Sequence, residues 1–144
     1  MTARRALKSL ETLARARDLE LTELRREAAR VMDRLERTIA AIEGLKSALR
    51  TEGESLGGDP AMMSVYAKFA AGARQRLTAL AAARESLELE VDQADERVAE
   101  GYRALKQIEQ AADARRQEIL DEEARKERAT ADDLAAIRAM RGPA

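Results

Sequence analysis

The stretch RTEGESLGGDPAMM, residues 50–63, decides how this chain folds. It carries Gly53, Gly57 and Gly58, three of the seven glycines, and one of the two prolines, and it parts two long segments that are free of both glycine clusters and proline. Asp59 followed by Pro60 reads as a helix N-cap and first helical position, because a carboxylate accepts from an orphan backbone amide and proline has no amide to lose. The reading is therefore one helix over about residues 3–50, a loop over about 51–59, and a second helix from 60 to about 141, just short of Pro143.

Both segments carry apolar residues at alternating steps of three and four. From Leu7 the steps fall on Leu10, Ala14, Arg17, Leu21, Leu24, Ala28, Val31, Leu35, Thr38, Ile42, Leu45 and Leu49. From Met63 they fall on Tyr66, Ala70, Ala73, Leu77, Leu80, Arg84, Leu87, Val91, Ala94, Val98, Gly101, Leu105, Ile108, Ala112, Arg115 and Ile119. A seam this long is what supercoiled helices need to keep side chains facing one another. Two such helices joined by a short loop fold back as an antiparallel hairpin, so the fold class expected for residues 1–144 is all-α, a single coiled-coil domain.

If Leu49 faces Met63, residues whose numbers sum to about 112 are neighbours. Leu35 then meets Leu77, Leu21 meets Val91, Leu7 meets Leu105, and Arg17 lies beside Ala94 and Asp95. On that register helix 2 outruns helix 1 by about 35 residues, an overhang of roughly 50 Å at 1.5 Å per residue. Past Ile119 the seam gives way to charge in DARRQEILDEEARKERATADD, and LAAIRAM, residues 134–140, turns apolar again on one face.

Composition narrows the function. Of 144 residues 37% are charged, 26 basic against 27 acidic, a balance with no net field to attract nucleic acid. There is no cysteine and no histidine, so thiol nucleophiles, imidazole bases and zinc clusters are excluded. No apolar run approaches the roughly 20 residues of a membrane span, and MTARRALKSL does not read as a signal peptide, so a soluble cytoplasmic protein is expected. GESLGGDP lacks the Gly-Lys-Ser/Thr end of a phosphate loop and reads as a turn. Carboxylates are plentiful, but a two-helix arrangement offers no pocket for an enzyme, and neither a cofactor nor a metal is expected.

Only three aromatics occur, and two stand one turn apart at Tyr66 and Phe69. Tyr66 lies on the seam and reads as core. Phe69 lies one step outside it, where the ring is either a flank of the core or a partly exposed binding anchor. Arg84 and Arg115 on the seam set register or reach out to solvent.

ALKSLETLA (Ala6–Ala14), the pair Tyr66 and Phe69 just after a polar loop, and DDLAAIRAMRGP (Asp132–Pro143) together resemble the FliJ family of flagellar export proteins, over nearly the whole chain. That resemblance implies an antiparallel two-helix coiled coil, similar to the stalk subunit of rotary ATPases, which docks in the pore of the hexameric flagellar export ATPase and promotes its assembly and ATP hydrolysis. It also implies binding to the cytoplasmic domain of the export-gate membrane protein, recycling of export chaperones, and a place at the cytoplasmic face of the flagellar basal body. The end carrying the termini is implied to enter the ring, with Arg4, Arg5, Leu134, Ile137, Arg138, Met140 and Arg141 as contacts. The gate-binding positions are matched by Ile42, Leu45, Leu49, Phe69 and Ala73. The sequence departs from the family there, with Leu45 and Leu49 where relatives often place tyrosine and Ala73 where a larger apolar residue is usual. Two alternatives stand beside this reading: the analogous stalk of a virulence-type secretion system, and a structural coiled coil that self-associates through its overhang.

Overall fold

The computed structural model describes residues 2–143 and contains two helices, α1 (Ala3–Glu54) and α2 (Pro60–Arg141), with no strand among the described residues. The loop is built as its residue types dictate. Asp59 Oδ1 accepts from the Ala61 amide at 3.0 Å, satisfying an orphan donor of the first turn, and the Asp59 carbonyl accepts the first intrahelical bond of α2, from the Met63 amide at 3.0 Å. Gly58 turns the chain at φ 78°, a region that costs a residue with a Cβ. At the far ends, the Thr2 hydroxyl accepts from the Arg5 amide at 3.2 Å to cap α1, and Gly142 closes α2 at φ 68° behind Arg138 and Arg141, whose charges suit the negative end of the helix. Helix α1 carries one turn beyond the expected end near residue 50.

The residues fall into two compact units, Met1–Leu21 with Glu100–Ala144, and Thr22–Ala99. In the second, Val31, Leu35 and Val91 form a buried cluster with Ile39 and Leu87 packed on it, and Ile42, Ala70, Ala73 and Ala94 are buried as well. Tyr66 reaches Leu49 and Arg34 reaches Glu90, so the two helices run antiparallel there. In the first unit Leu21, Leu105 and Ala112 are buried, Arg4 pairs with Glu123 at 2.6 Å, and Glu11 approaches Arg116 at 3.8 Å, again antiparallel. No polar or charged side chain is buried among the described residues.

The seam is where the spacing put it. On α1 every stepped position except Arg17 is buried or part-buried, and on α2 every one except Met63 and Arg115. Arg84 lies part-buried along the seam and sends its guanidinium out to Glu88 at 2.9 Å. Arg17 pairs with Glu20 on its own helix at 3.0 Å.

The register is not the expected one. Leu35 shares its cluster with Leu87 and Val91 rather than Leu77, Arg4 is level with Glu123, and Met63, expected opposite Leu49, is 51% exposed. Among these pairs the offset is roughly one and a half to two heptads, while beside the turn Tyr66 still reaches Leu49 close to the expected register; the repeat itself allows this, since sliding one seam along another by whole heptads returns apolar positions to apolar positions, so the pattern cannot choose among such registers. The consequence for the overhang is large. Burial along α2 continues to Ile119, and only from Leu120 onward is every described residue exposed, which leaves about 20 helical residues, roughly 30 Å, without a partner instead of about 35.

Candidate functional surfaces

Two surfaces carry the candidate residues, one in each unit. In the unit spanning Thr22–Ala99, the Tyr66 hydroxyl donates to the Leu49 carbonyl at 3.3 Å, and the Tyr66 and Phe69 rings lie 6.4 Å apart, tilted by 50°. Tyr66 is part-buried, as its place on the seam requires, while Phe69 is 40% exposed. Of the other residues matched to gate binding, Leu45 and Leu49 are part-buried, and Ile42 and Ala73, each 6% exposed, are core and present almost nothing to a partner. Accessible apolar area comes instead from Met62 and Val65, both more than half exposed, which line up with Phe69 at i, i+3 and i+7. Sequence reasoning passed over these two because it followed the seam. The same spacing, read one position to the side, reveals them.

In the unit containing both termini, Leu134, Ile137, Arg138, Met140 and Arg141 all lie on the uncovered part of α2 and are exposed, Met140 at 87%. Leu134, Ile137, Arg138 and Arg141 share one face at steps of three and four, with Met140 off to its side. Arg4 and Arg5 lie at the start of α1, where Arg4 is held by Glu123 and Arg5 is exposed. Between Ile119 and Leu134 the helix carries the exposed ion pair of Arg125 with Glu122 at 3.1 Å, worth a few tenths of a kcal/mol.

The third aromatic, Tyr102, is exposed and lies beneath the Lys106 ammonium, 5.4 Å from the ring centre. A hydrogen bond and ion pair to Glu109, with Tyr102 adding to them, raise the Lys106 pKa above its ordinary value. Among the described residues no group of acidic side chains is arranged to hold a metal ion, and no helix is long and apolar enough to cross a membrane.

Among known protein families, the model of one described as "Flagellar FliJ protein" aligns with residues 4–144. No curated protein and no solved structure matches the chain.

Proposed function

The chain belongs to the FliJ family, and is therefore a component of the flagellar export system; from that premise we propose that it acts as the stalk of the export ATPase, docking the end that carries its termini in the hexameric ring. It promotes assembly of the ring and ATP hydrolysis without catalysing a reaction itself. Its other surface, around Phe69, binds the cytoplasmic domain of the export-gate membrane protein, and export chaperones are further partners. On this reading it works at the cytoplasmic face of the basal body.

The observation that carries the proposal is the uncovered run of α2 after Ile119. An 82-residue helix that outlasts its partner and then displays Leu134, Ile137 and Met140 to solvent has apolar surface to give to another protein. A two-stranded seam offers no such surface while it is covered. The charged turns between, from Asp121 to Asp133, keep the helix in water until it is received.

The test is ATP hydrolysis by the purified export ATPase of the same organism, with the full chain and with a chain ending after Ala124. That truncation keeps Glu123 and so leaves the Arg4 pair intact. Stimulation by the full chain and none by the shortened one is expected. Equal stimulation by both would remove the overhang from the ring. Failure of the full chain to stimulate, together with concentration-dependent sedimentation lost on truncation, would favour self-association through the overhang.

A further inference from the structure

The Phe69 ring has a support that lies outside its own helix. The Tyr66 hydroxyl crosses to α1 and donates to the Leu49 carbonyl at 3.3 Å, near the long limit of such a bond. It can do so because residue 53 is glycine. A Cβ there would lie 3.2 Å from the Tyr66 hydroxyl oxygen and 3.5 Å from the ring carbon that bears it, tight enough that the phenol must give by a few tenths of an ångström, and its bond to Leu49 is already long. One turn further along α2, the Phe69 ring rests 6.4 Å from the ring so held.

From this arrangement we propose that Gly53 and Tyr66 form a clasp that fixes the orientation of the exposed Phe69 ring, making both of them positioning residues for the partner that Phe69 engages. This rests on the proposed role of Phe69 in binding the export gate. An aromatic side chain on a helix surface otherwise samples more than one rotamer, and a partner that needs one of them must pay for the selection in lost freedom. Packed against a tyrosine that is itself tied to α1, Phe69 meets its partner with that choice already made. Gly53 has no other evident reason to be there. Near the end of a helix alanine propagates the backbone better, and the nearest atoms its Cβ would meet all belong to the Tyr66 side chain.

The test compares Phe69→Ala, Gly53→Ala, Tyr66→Phe and the double Gly53→Ala/Tyr66→Phe for binding to the purified cytoplasmic domain of the export-gate protein. Loss of one preset rotamer corresponds to a weakening of about fivefold for each clasp variant. The double variant should bind no worse than either single one, since both remove the same contact. The thermal midpoint of Gly53→Ala should stay level or rise while its affinity falls, a divergence that a purely structural role cannot produce. In parallel, 4-fluorophenylalanine at position 69 gives a partner-free reading: its ¹⁹F resonance should shift or broaden in Gly53→Ala and Tyr66→Phe. If Phe69→Ala weakens binding but the clasp variants bind as the parent does, the clasp is refuted and the gate reading stands. If Phe69→Ala binds normally, the gate reading of Phe69 fails and the positioning role falls with it. An unmoved fluorine resonance overturns the clasp on either branch.

Discussion

Substitution of Leu35 distinguishes the observed register from the one that the heptad pattern alone suggests. Leu35 is 8% exposed and packs in a cluster with Val31, Ile39, Leu87 and Val91. Trimming a buried leucine to alanine costs roughly 2–5 kcal/mol, and a seam between two helices, open to water on both flanks, lets neighbours settle into the gap, so a value near the low end, about 2 kcal/mol, is expected. For a chain of this length that lowers the melting midpoint by roughly 4–8 °C. Val91→Ala, which removes less, should cost about 1 kcal/mol. Because the two side chains share one cluster, the double variant should deviate from additivity by roughly 0.5–1 kcal/mol, whereas Leu35→Ala with Leu77→Ala should add within about 0.5 kcal/mol. Urea titrations followed by circular dichroism at 222 nm give all the quantities, provided the slope of free energy with denaturant is shared by the variants. Coupling between positions 35 and 77 larger than that between 35 and 91 would refute the register in this unit.

Asp59→Ala should destabilise the chain by roughly 0.5–2 kcal/mol through loss of the cap on Ala61, read as a lower thermal midpoint. Gly58→Ala, at φ 78°, should cost about 1 kcal/mol in the same melt, while Gly44→Ala, where a Cβ meets nothing, should be neutral or stabilising. Arg4→Ala removes an ion pair that is largely exposed on the arginine side, and a change above about 1 kcal/mol would contradict the small worth of such pairs. Leu134→Glu with Ile137→Glu should leave the melt unchanged within about 0.5 kcal/mol, because neither side chain is covered, yet abolish stimulation of the export ATPase. The raised pKa of Lys106 marks a stabilising contact that is complete below the ordinary lysine value and disappears as pH climbs through the raised one, so Lys106→Met should remove a small alkaline loss of stability seen in pH-dependent melts.

The two helices and the faces they bury were legible in the sequence because each depends on local chemistry. Asp59 and Pro60 announce a helix start whatever lies around them, and steps of three and four mark a buried stripe from Leu7 to Ile119 with few exceptions. What could not be read was which turn of α1 meets which turn of α2. That choice rests on side-chain size and reach at particular places, such as Arg34 finding Glu90 and Arg4 finding Glu123, and an apolar repeat is blind to both. The candidate surfaces divide in the same way. Exposure of Leu134, Ile137 and Met140 follows from their lying past the end of the seam. The burial of Ile42 and Ala73 follows from their lying on it, and places matched to partner binding are here occupied by core residues.

The pairings across α1 and α2 also set an order in time. Tyr66 and Leu49 are 17 residues apart in sequence, Arg34 and Glu90 are 56 apart, and Arg4 and Glu123 are 119 apart. On a ribosome, α1 is finished before any of its partners exist, and its apolar stripe has nothing to cover it. The pairing nearest the turn becomes possible first and closes the smallest loop. Each later one extends an existing pair instead of closing a loop from open chain. Arg4 waits for Glu123, 119 residues later in the chain, and the surface proposed for the ATPase follows later still. Until then the nascent helix is open to any other protein with a matching stripe.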